Sequence, residues 1–379
     1  MEFIVSKLAL EEAVKNLSRV INKKNALPIL GDILCDVNAE EKSLLLTASD
    51  SEIWLQYTIT ADEVDCSGRF AVEAKRLADM LNGIPEQPVT INVNTDEGRV
   101  EINYDGGNAH CATDNADEYP VPLADPKNFK QAVIEGDELR TAIERCLFAA
   151  SVNELRPVMN GICLSLEGGS FDAVASDGHV IMLSNHDADV GEAMECIIPR
   201  KVCAVMQKAL KASDETYLMV EDRLCSVEQE NMVLKFRLIE GKYVAYRTVI
   251  PEIQAHNVVV DRKALMDALR AVIPFANDSS NMVTLTFECN DKLIVAGNDY
   301  DFSLGASREL ASENYKGTEP MAIGLKGGTL LNVLGKISGS KISINFDSAD
   351  KAVVIKPVAK NDGDEVKMLG LMMPMLLND

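Results

Sequence analysis

The sequence predicts an α+β fold of three similar domains, each with two helices backed by a mostly antiparallel sheet. Three observations carry this reading. One apolar hairpin unit recurs, closing on Ala48-Ser49-Asp50, on Ala175-Ser176-Asp177 and on Ala296-Gly297-Asn298-Asp299. The closing aspartates lie 127 and 122 residues apart, which is most simply three copies of one domain. Each third also opens on an amphipathic helix and carries a second, shorter one, and strands with period-2 alternation follow each shorter helix.

In the first third, Leu10, Ala13, Val14, Leu17, Val20 and Ile21 make one apolar helical face within 7–24. The hairpin follows, from Ile33 to Val37 and from Leu44 to Ala48. A helix over 75–83 then carries Leu77, Met80 and Leu81, ahead of strands through Ile91 and Val93 and through Val100, Ile102 and Tyr104. In the second third, Asp137 is the expected N-cap of a helix over 137–150. Its hairpin runs from Ile162 to Leu166 and turns at Gly168-Gly169. A helix over 200–212 and strands through Leu218, Val220 and Leu224 complete it. In the last third, Asp261 caps a helix through Leu265, Leu269 and Val272, which Pro274 ends. The hairpin spans 282–296, a helix spans 325–338, and strands run through Ile342, Ile344, Phe346, Val353 and Ile355. Each third thus reads helix, strands, helix, strands. Proline and polar residues near Ala124-Asp125-Pro126 and Ile250-Pro251-Glu252 set domains at 1–125, 126–251 and 252–379.

Composition narrows the function. The chain has 379 residues, 47% of them apolar, enough for several packed cores. No run of 18 apolar residues predicts a membrane span, and charges at Glu2, Lys7, Glu11 and Glu12 predict no secretory signal. Nine cysteines, with no Cys-x-x-Cys pair, suit reduced thiols in a cytoplasmic protein. The net charge of −22 argues at first against nucleic acid. Yet the six helical segments carry a net +10 and the remainder −32. Lys201, Lys208 and Lys211 share one helical face, as do Lys263 and Arg270. Basic helices in an acidic protein suit a polyanion held against the helices, or else a protein partner on the same faces. No RNP motif or zinc-finger spacing is present, so a nucleic acid would be held by its phosphates, independently of sequence.

The case for catalysis is poor. No phosphate-binding glycine loop occurs, and no cofactor is implied. Asp177 beside His179 has the form of an acid–base pair, but the aspartate recurs as Asp50 and Asp299 while the histidine does not. A threefold aspartate serves a turn after a strand. His179, His186 and Asp187 match no metal-ligand spacing, so no metal site is predicted. The tail, from Leu369 through Met372-Met373-Pro374-Met375 to Leu377, is instead rich in soft, adaptable contact residues.

Taken together, several motifs carry a resemblance. They are Leu27-Pro28-Ile29-Leu30 with Ala48-Ser49-Asp50, Asn160-Gly161 with Ala175-Ser176-Asp177-Gly178-His179, Ile198-Pro199-Arg200-Lys201, Tyr246-Arg247-Thr248-Val249-Ile250-Pro251, and Met373-Pro374-Met375. The whole chain resembles the bacterial sliding clamp family, the beta subunit of the replicative DNA polymerase III. The resemblance implies a head-to-tail homodimeric ring of six domains, with helices lining the hole. It implies a non-catalytic processivity factor that encircles duplex DNA, tethers the replicative polymerase, and is opened by a clamp loader.

The residues the resemblance assigns form three groups. The DNA contacts would be Lys24, Lys75, Arg156, Arg200 and Lys201. A pocket for short peptide motifs of replication and repair proteins would use Met159, Ser176, Gly178, His179, Val180 and Ile181. It would also use Arg247, Val249, Lys326 and Thr329, with Leu371, Met373, Pro374 and Met375 from the tail. The dimer face would pair the region of Ile273 and Pro274 with the strand from Tyr104 to Ala112. Several features depart from the family pattern: Leu376 stands where an arginine is common and Asn378-Asp379 extend the tail, Val244-Ala245 stands where a proline-containing pair is common, and Pro157-Val158 where a tyrosine pair can occur.

Overall fold

A computed structural model describes residues 1–22, 27–124, 127–251, 254–359 and 367–377. Lys24, the boundary residues Asp125, Pro126 and Glu252, and Asn378-Asp379 lie outside the described residues.

Seven helices are described: α1 Lys7–Leu17, α2 Ala74–Leu81, α3 Gly136–Cys146, α4 Arg200–Ala209, α5 Tyr246–Val249, α6 Arg262–Val272 and α7 Gly327–Lys336. The long helices have the expected apolar faces, and Leu10, Leu17, Leu139, Ile143, Leu265, Leu269, Leu330 and Leu334 are all buried. Ser6 caps α1 by accepting from Ala9 N at 3.4 Å, and Asp261 caps α6 by accepting from Ala264 N at 2.7 Å.

The structure corrects the element order. A strand precedes the first helix of every third: Glu2–Ser6, Lys130–Glu135 and His256–Asp261. Each buries only two apolar side chains, such as Phe3 and Val5, so its alternation is lost beside the helical pattern that follows. Asp137 is not a cap. The helix begins at Gly136, and the Asp137 carboxylate accepts from Arg140 at 3.0 Å instead. Gly136 is needed there because a Cβ would lie 2.0 Å from the Lys211 carbonyl oxygen. Helix ends are also shorter than periodicity indicates. Leu147–Ala149 and Ile273–Phe275 are 3-10 turns, and Pro274 sits inside the second of them.

The chain forms two compact units. The first comprises 1–140, 188–194 and 201–238; the second comprises 141–187, 195–200 and 239–379. The central third is therefore divided between the units. In the first, thirteen strands make one sheet organised around Ile53–Val64. This strand pairs along one edge with Ser43–Ser49. Along its other edge it pairs first with Met232–Arg237 and then with Glu2–Ser6. That sheet ends at the strand Gly107–Ala112, which pairs only with Arg99–Tyr104 among the described residues.

In the second unit, twelve strands make one sheet. Val180–Asp187 lies between Ser170–Ser176 and Met368–Met372. Leu304–Glu313 pairs fully with Lys292–Asp299, but on its other edge only Ser312 and Glu313 are matched, to Val260 and Val259. The edge from Leu304 to Leu310 therefore has no partner strand among the described residues.

Candidate functional site

The three repeated aspartates do the same work. Asp50 Oδ1 accepts from Glu52 N at 3.0 Å and Ile53 N at 2.8 Å. Asp177 Oδ1 accepts from His179 N at 2.8 Å and Val180 N at 2.9 Å. Asp299 Oδ1 accepts from Asp301 N at 2.9 Å and Phe302 N at 3.3 Å. Each aspartate thus closes a side-chain turn and launches the next strand. Asp177 Oδ1 is occupied by these backbone amides rather than by the His179 imidazole. His186 is turned inward, 2.7 Å from Ser184 Oγ and stacked on Phe171, while Asp187 pairs with Lys367 at 2.8 Å. These side chains do not converge on a common point.

The strands launched by the three turns meet different neighbours. Ile53 to Tyr57 pairs with Phe236 to Met232, and Val180 to Ser184 pairs with Met372 to Met368. The residues that follow Asp299 carry an apolar edge instead: Tyr300 is 82% exposed, Phe302 74% and Leu304 48%. Ile53 and Val180, which match Phe302 in the repeat, are buried. Phe275 is exposed near this edge, beyond Ile273 and Pro274. Tyr104 and Ala112 flank the other open edge, Gly107–Ala112. Sequence reasoning missed Tyr300, Phe302 and Leu304. The signal available was the offset of each from an aspartate whose counterparts begin buried strands.

Most of the expected pocket residues come together through the pairing of the tail. Met372, Leu371 and Gly370 align with Val180, Ile181 and Met182. Met373 N then donates to the His179 carbonyl at 2.8 Å, and Met375 N to the Gly324 carbonyl at 2.8 Å. This lays the tail across two strands of the second unit. Ser176 is buried and its Oγ accepts from Gly178 N at 3.1 Å. Gly178 has φ +91, a conformation that a side chain resists, and Arg156 Nη1 lies 3.0 Å from where its Cβ would be. Leu371 and Ile181 pack in one core cluster with Tyr246, and Val249, three residues after Tyr246, is exposed. Met373 is 41% exposed and so presents thioether surface to solvent. Lys326 and Thr329 lie at the start of α7, two and five residues past Gly324. Met159 is half-buried, and its carbonyl accepts from Ser151 N. Arg247 is turned away, to Asp172 at 2.6 Å and over the Tyr246 ring.

Two of the expected DNA-contacting cations have internal partners. Arg200 Nη1 donates to the Leu147 and Ala150 carbonyls at 3.1 and 2.7 Å, satisfying the end of the 3-10 turn. Lys201 pairs with Asp50 Oδ2 and reaches the Val20 carbonyl at 3.4 Å. A free lysine was expected here, but the sequence could not show that Asp50 lies beside the start of α4. Arg156 and Lys75 are exposed, as are Lys15, Arg19, Lys208, Lys211 and Lys263 on or beside the helices.

Family models cover nearly all of this architecture. Residues 1–123 match the N-terminal domain of the DNA polymerase III beta subunit, 133–245 its central domain and 247–373 its C-terminal domain. The chain belongs to the DNA polymerase III beta subunit family. A beta sliding clamp of a Synechocystis species is 26% identical, with all of both chains covered. One from Caulobacter vibrioides is 27% identical over 94% of this chain and 96% of the relative. The DNA polymerase III subunit beta from Pseudomonas aeruginosa has the same fold, with a TM-score of 0.90 over the full length of both chains at 24% identity. The counterpart from Thermotoga maritima gives 0.89 at 22%, again over both full lengths. As a member of this family the chain is a sliding clamp, a non-catalytic processivity subunit of a DNA polymerase. Among the described residues, no helix is long and apolar enough to cross a membrane. None of the nine cysteines forms a disulfide, and six of them are buried.

Proposed function

We propose that this beta subunit works in the cytoplasm as a head-to-tail homodimer closed into a ring around duplex DNA. The observation that carries the reading is the unequal pairing of the three repeats. Two of the three repeated strands are sealed by a hairpin strand, Met232–Arg237 or Met368–Met372. The third such strand, from Leu304, and the third such hairpin strand, Gly107–Ala112, are both open edges among the described residues. A second copy related by twofold symmetry supplies each missing partner to the other, making two equal joints. Closure also covers Tyr300, Phe302 and Leu304 and removes two edges that would otherwise invite aggregation. Lys201, the second residue of α4, pairs with Asp50. Lys75 is the second residue of α2. In a closed ring, Lys75 of the second copy would face Asp299 in the same way.

The ring acts by topology. The exposed cations of the helices contact phosphates without reading bases, and the acidic remainder repels DNA elsewhere. A polymerase held on such a ring rebinds intramolecularly after each release, which raises its effective concentration at the primer end. The groove around Gly178, His179, Val180 and Met373 takes a short extended peptide from the polymerase, the clamp loader or a repair protein. The domain limits follow as 1–125, 126–251 and 252–379. Light scattering across a dilution series tests closure. The ring expects a mass near twice 41.3 kDa that persists at low concentration. It also expects retention on circular DNA that is lost on linearisation, and a monomer retained on neither form would sink the reading.

A further inference from the structure

The open edge strand Gly107–Ala112 is anchored at its end by an unusual contact. Two residues beyond it, Asp114 forms an isolated bridge with Ala71, donating to the Ala71 carbonyl at 2.8 Å and accepting from its amide at 3.3 Å. Ala71 belongs to the strand Gly68–Glu73, which pairs with Asp32–Asn38 and sets Asp32 opposite Glu73. Asp32 is only 5% exposed, and its Oδ2 is buried with no donor within reach. The neighbouring group that acts most strongly on this carboxyl is the carboxyl of Asp114.

Two facing carboxylates cannot both ionise at low cost; one proton between them turns repulsion into a hydrogen bond. Among the described residues, no cation is paired with Asp32. Glu73 adds negative charge from the paired strand. Arg76 on α2 is committed to Glu73 at 2.5 Å. Cys35 and Asp36 lie on the same strand as Asp32, Cys111 lies on the edge strand, and the Tyr119 hydroxyl donates to the Asp32 carbonyl at 3.5 Å. Burial, followed by the Asp114 contact and the charge of Glu73, raises Asp32 to about 7.

We propose that one proton shared by Asp32 and Asp114 latches the outgoing end of the edge strand Gly107–Ala112, and that this edge loosens when the proton leaves. The latch is a property of the single chain. Its effect on ring closure rests on the head-to-tail reading, in which this strand supplies half of each joint.

Hydrogen exchange of the full chain between about pH 4.5 and 8.5, corrected for intrinsic rates, tests the latch. In the natural chain, protection of the 107–116 segment should fall roughly tenfold per pH unit up to about pH 7 and level off above it. Asp32→Asn keeps a neutral donor opposite Asp114 and should hold protection within about twofold across the range, because no proton is exchanged at that site. Asp114→Asn should do the same and guards against a fold defect peculiar to one variant. His110 lies on the same strand, so the series is repeated in a His110→Gln background. Equal pH slopes in the natural chain and both asparagine variants would overturn the latch. Sedimentation of the same samples reads closure separately. A monomer at every pH would overturn the ring, and hydrogen exchange would still decide the latch.

Discussion

The strands that begin near Ile53 and near Leu304 hold the same place in the first and third repeats, yet one is sealed and the other is bare. Both are launched by an aspartate accepting two backbone amides. Leu55 is wholly buried, whereas Leu304, at the matching position, is about half exposed. Local chemistry is therefore shared, and burial follows whether a hairpin strand of the chain pairs along the edge, as Met232–Arg237 does beside Ile53 and none does beside Leu304 among the described residues. The middle repeat sides with the first, because Met368–Met372 seals Val180–Ser184.

The sharpest way to break this comparison is to truncate the two matched leucines. Leu55→Ala should cost about 3 kcal/mol of stability, by lost burial and the cavity left behind. Leu304→Ala should leave monomer unfolding within about 0.5 kcal/mol of the natural chain, since it removes an exposed side chain. Chemical denaturation at concentrations that favour monomer measures both, and equal losses would show that the third edge is already covered.

A proline at Asn108 probes the other half of the open joint. It removes one backbone donor from an edge strand and should shift the dimer toward monomer by roughly a hundredfold in dissociation constant, given the several hydrogen bonds and apolar contacts a misdocked edge loses. Light scattering on dilution reads this. An unchanged dimer would move the interface elsewhere.

In the sealed middle joint, Met373→Ala should weaken binding of a short apolar peptide by about tenfold, with no loss of folding, because its thioether is partly free for contact. Met375→Ala should have a similar or smaller effect, since its backbone holds the tail to Gly324 whatever the side chain. Fluorescence anisotropy with a labelled peptide would show it. Full affinity in both would remove the tail from the pocket.

The pH response distinguishes the units. The raised folded value of Asp32, about 7, means that its protonated form stabilises the fold. That stabilisation is complete below about pH 4, the range of a free carboxyl, and is lost as pH rises to about 7. The melting temperature of Asp32→Asn should therefore gain on that of the natural chain across this window and level off above it. A constant difference would contradict the shared proton.

The smallest effect is expected at the ion pair that crosses the first sealed joint. A double-mutant cycle on Asp50 and Lys201 should give a coupling of about 0.5–1 kcal/mol, because the lysine is nearly half exposed and the pair is screened. Zero coupling would make the pair incidental and restore Lys201 as a candidate phosphate contact.

Much of this was legible in the chain. The threefold hairpins, the long amphipathic helices and the turn role of the aspartates follow from local spacing and from side-chain chemistry that acts over three or four residues. The first strand of each repeat was not legible, because two buried side chains beside a helix leave too short an alternation. Nor were the internal partners of Arg200 and Lys201. Their acceptors, at Ala150 and Asp50, are 50 and 151 residues away in sequence.

The sequence by itself determined the repeat, its helices and turns, and the segregation of cations onto helices, because periodicity and local hydrogen bonding need no distant partner. Only the tertiary structure decided which cations are already paired, that the central third is shared between two sheets, and that Gly107–Ala112 and the start of Leu304–Glu313 lack a partner strand among the described residues. Those outcomes depend on pairings between segments fifty residues or more apart, and hydrophobic pattern marks a strand without naming its neighbour.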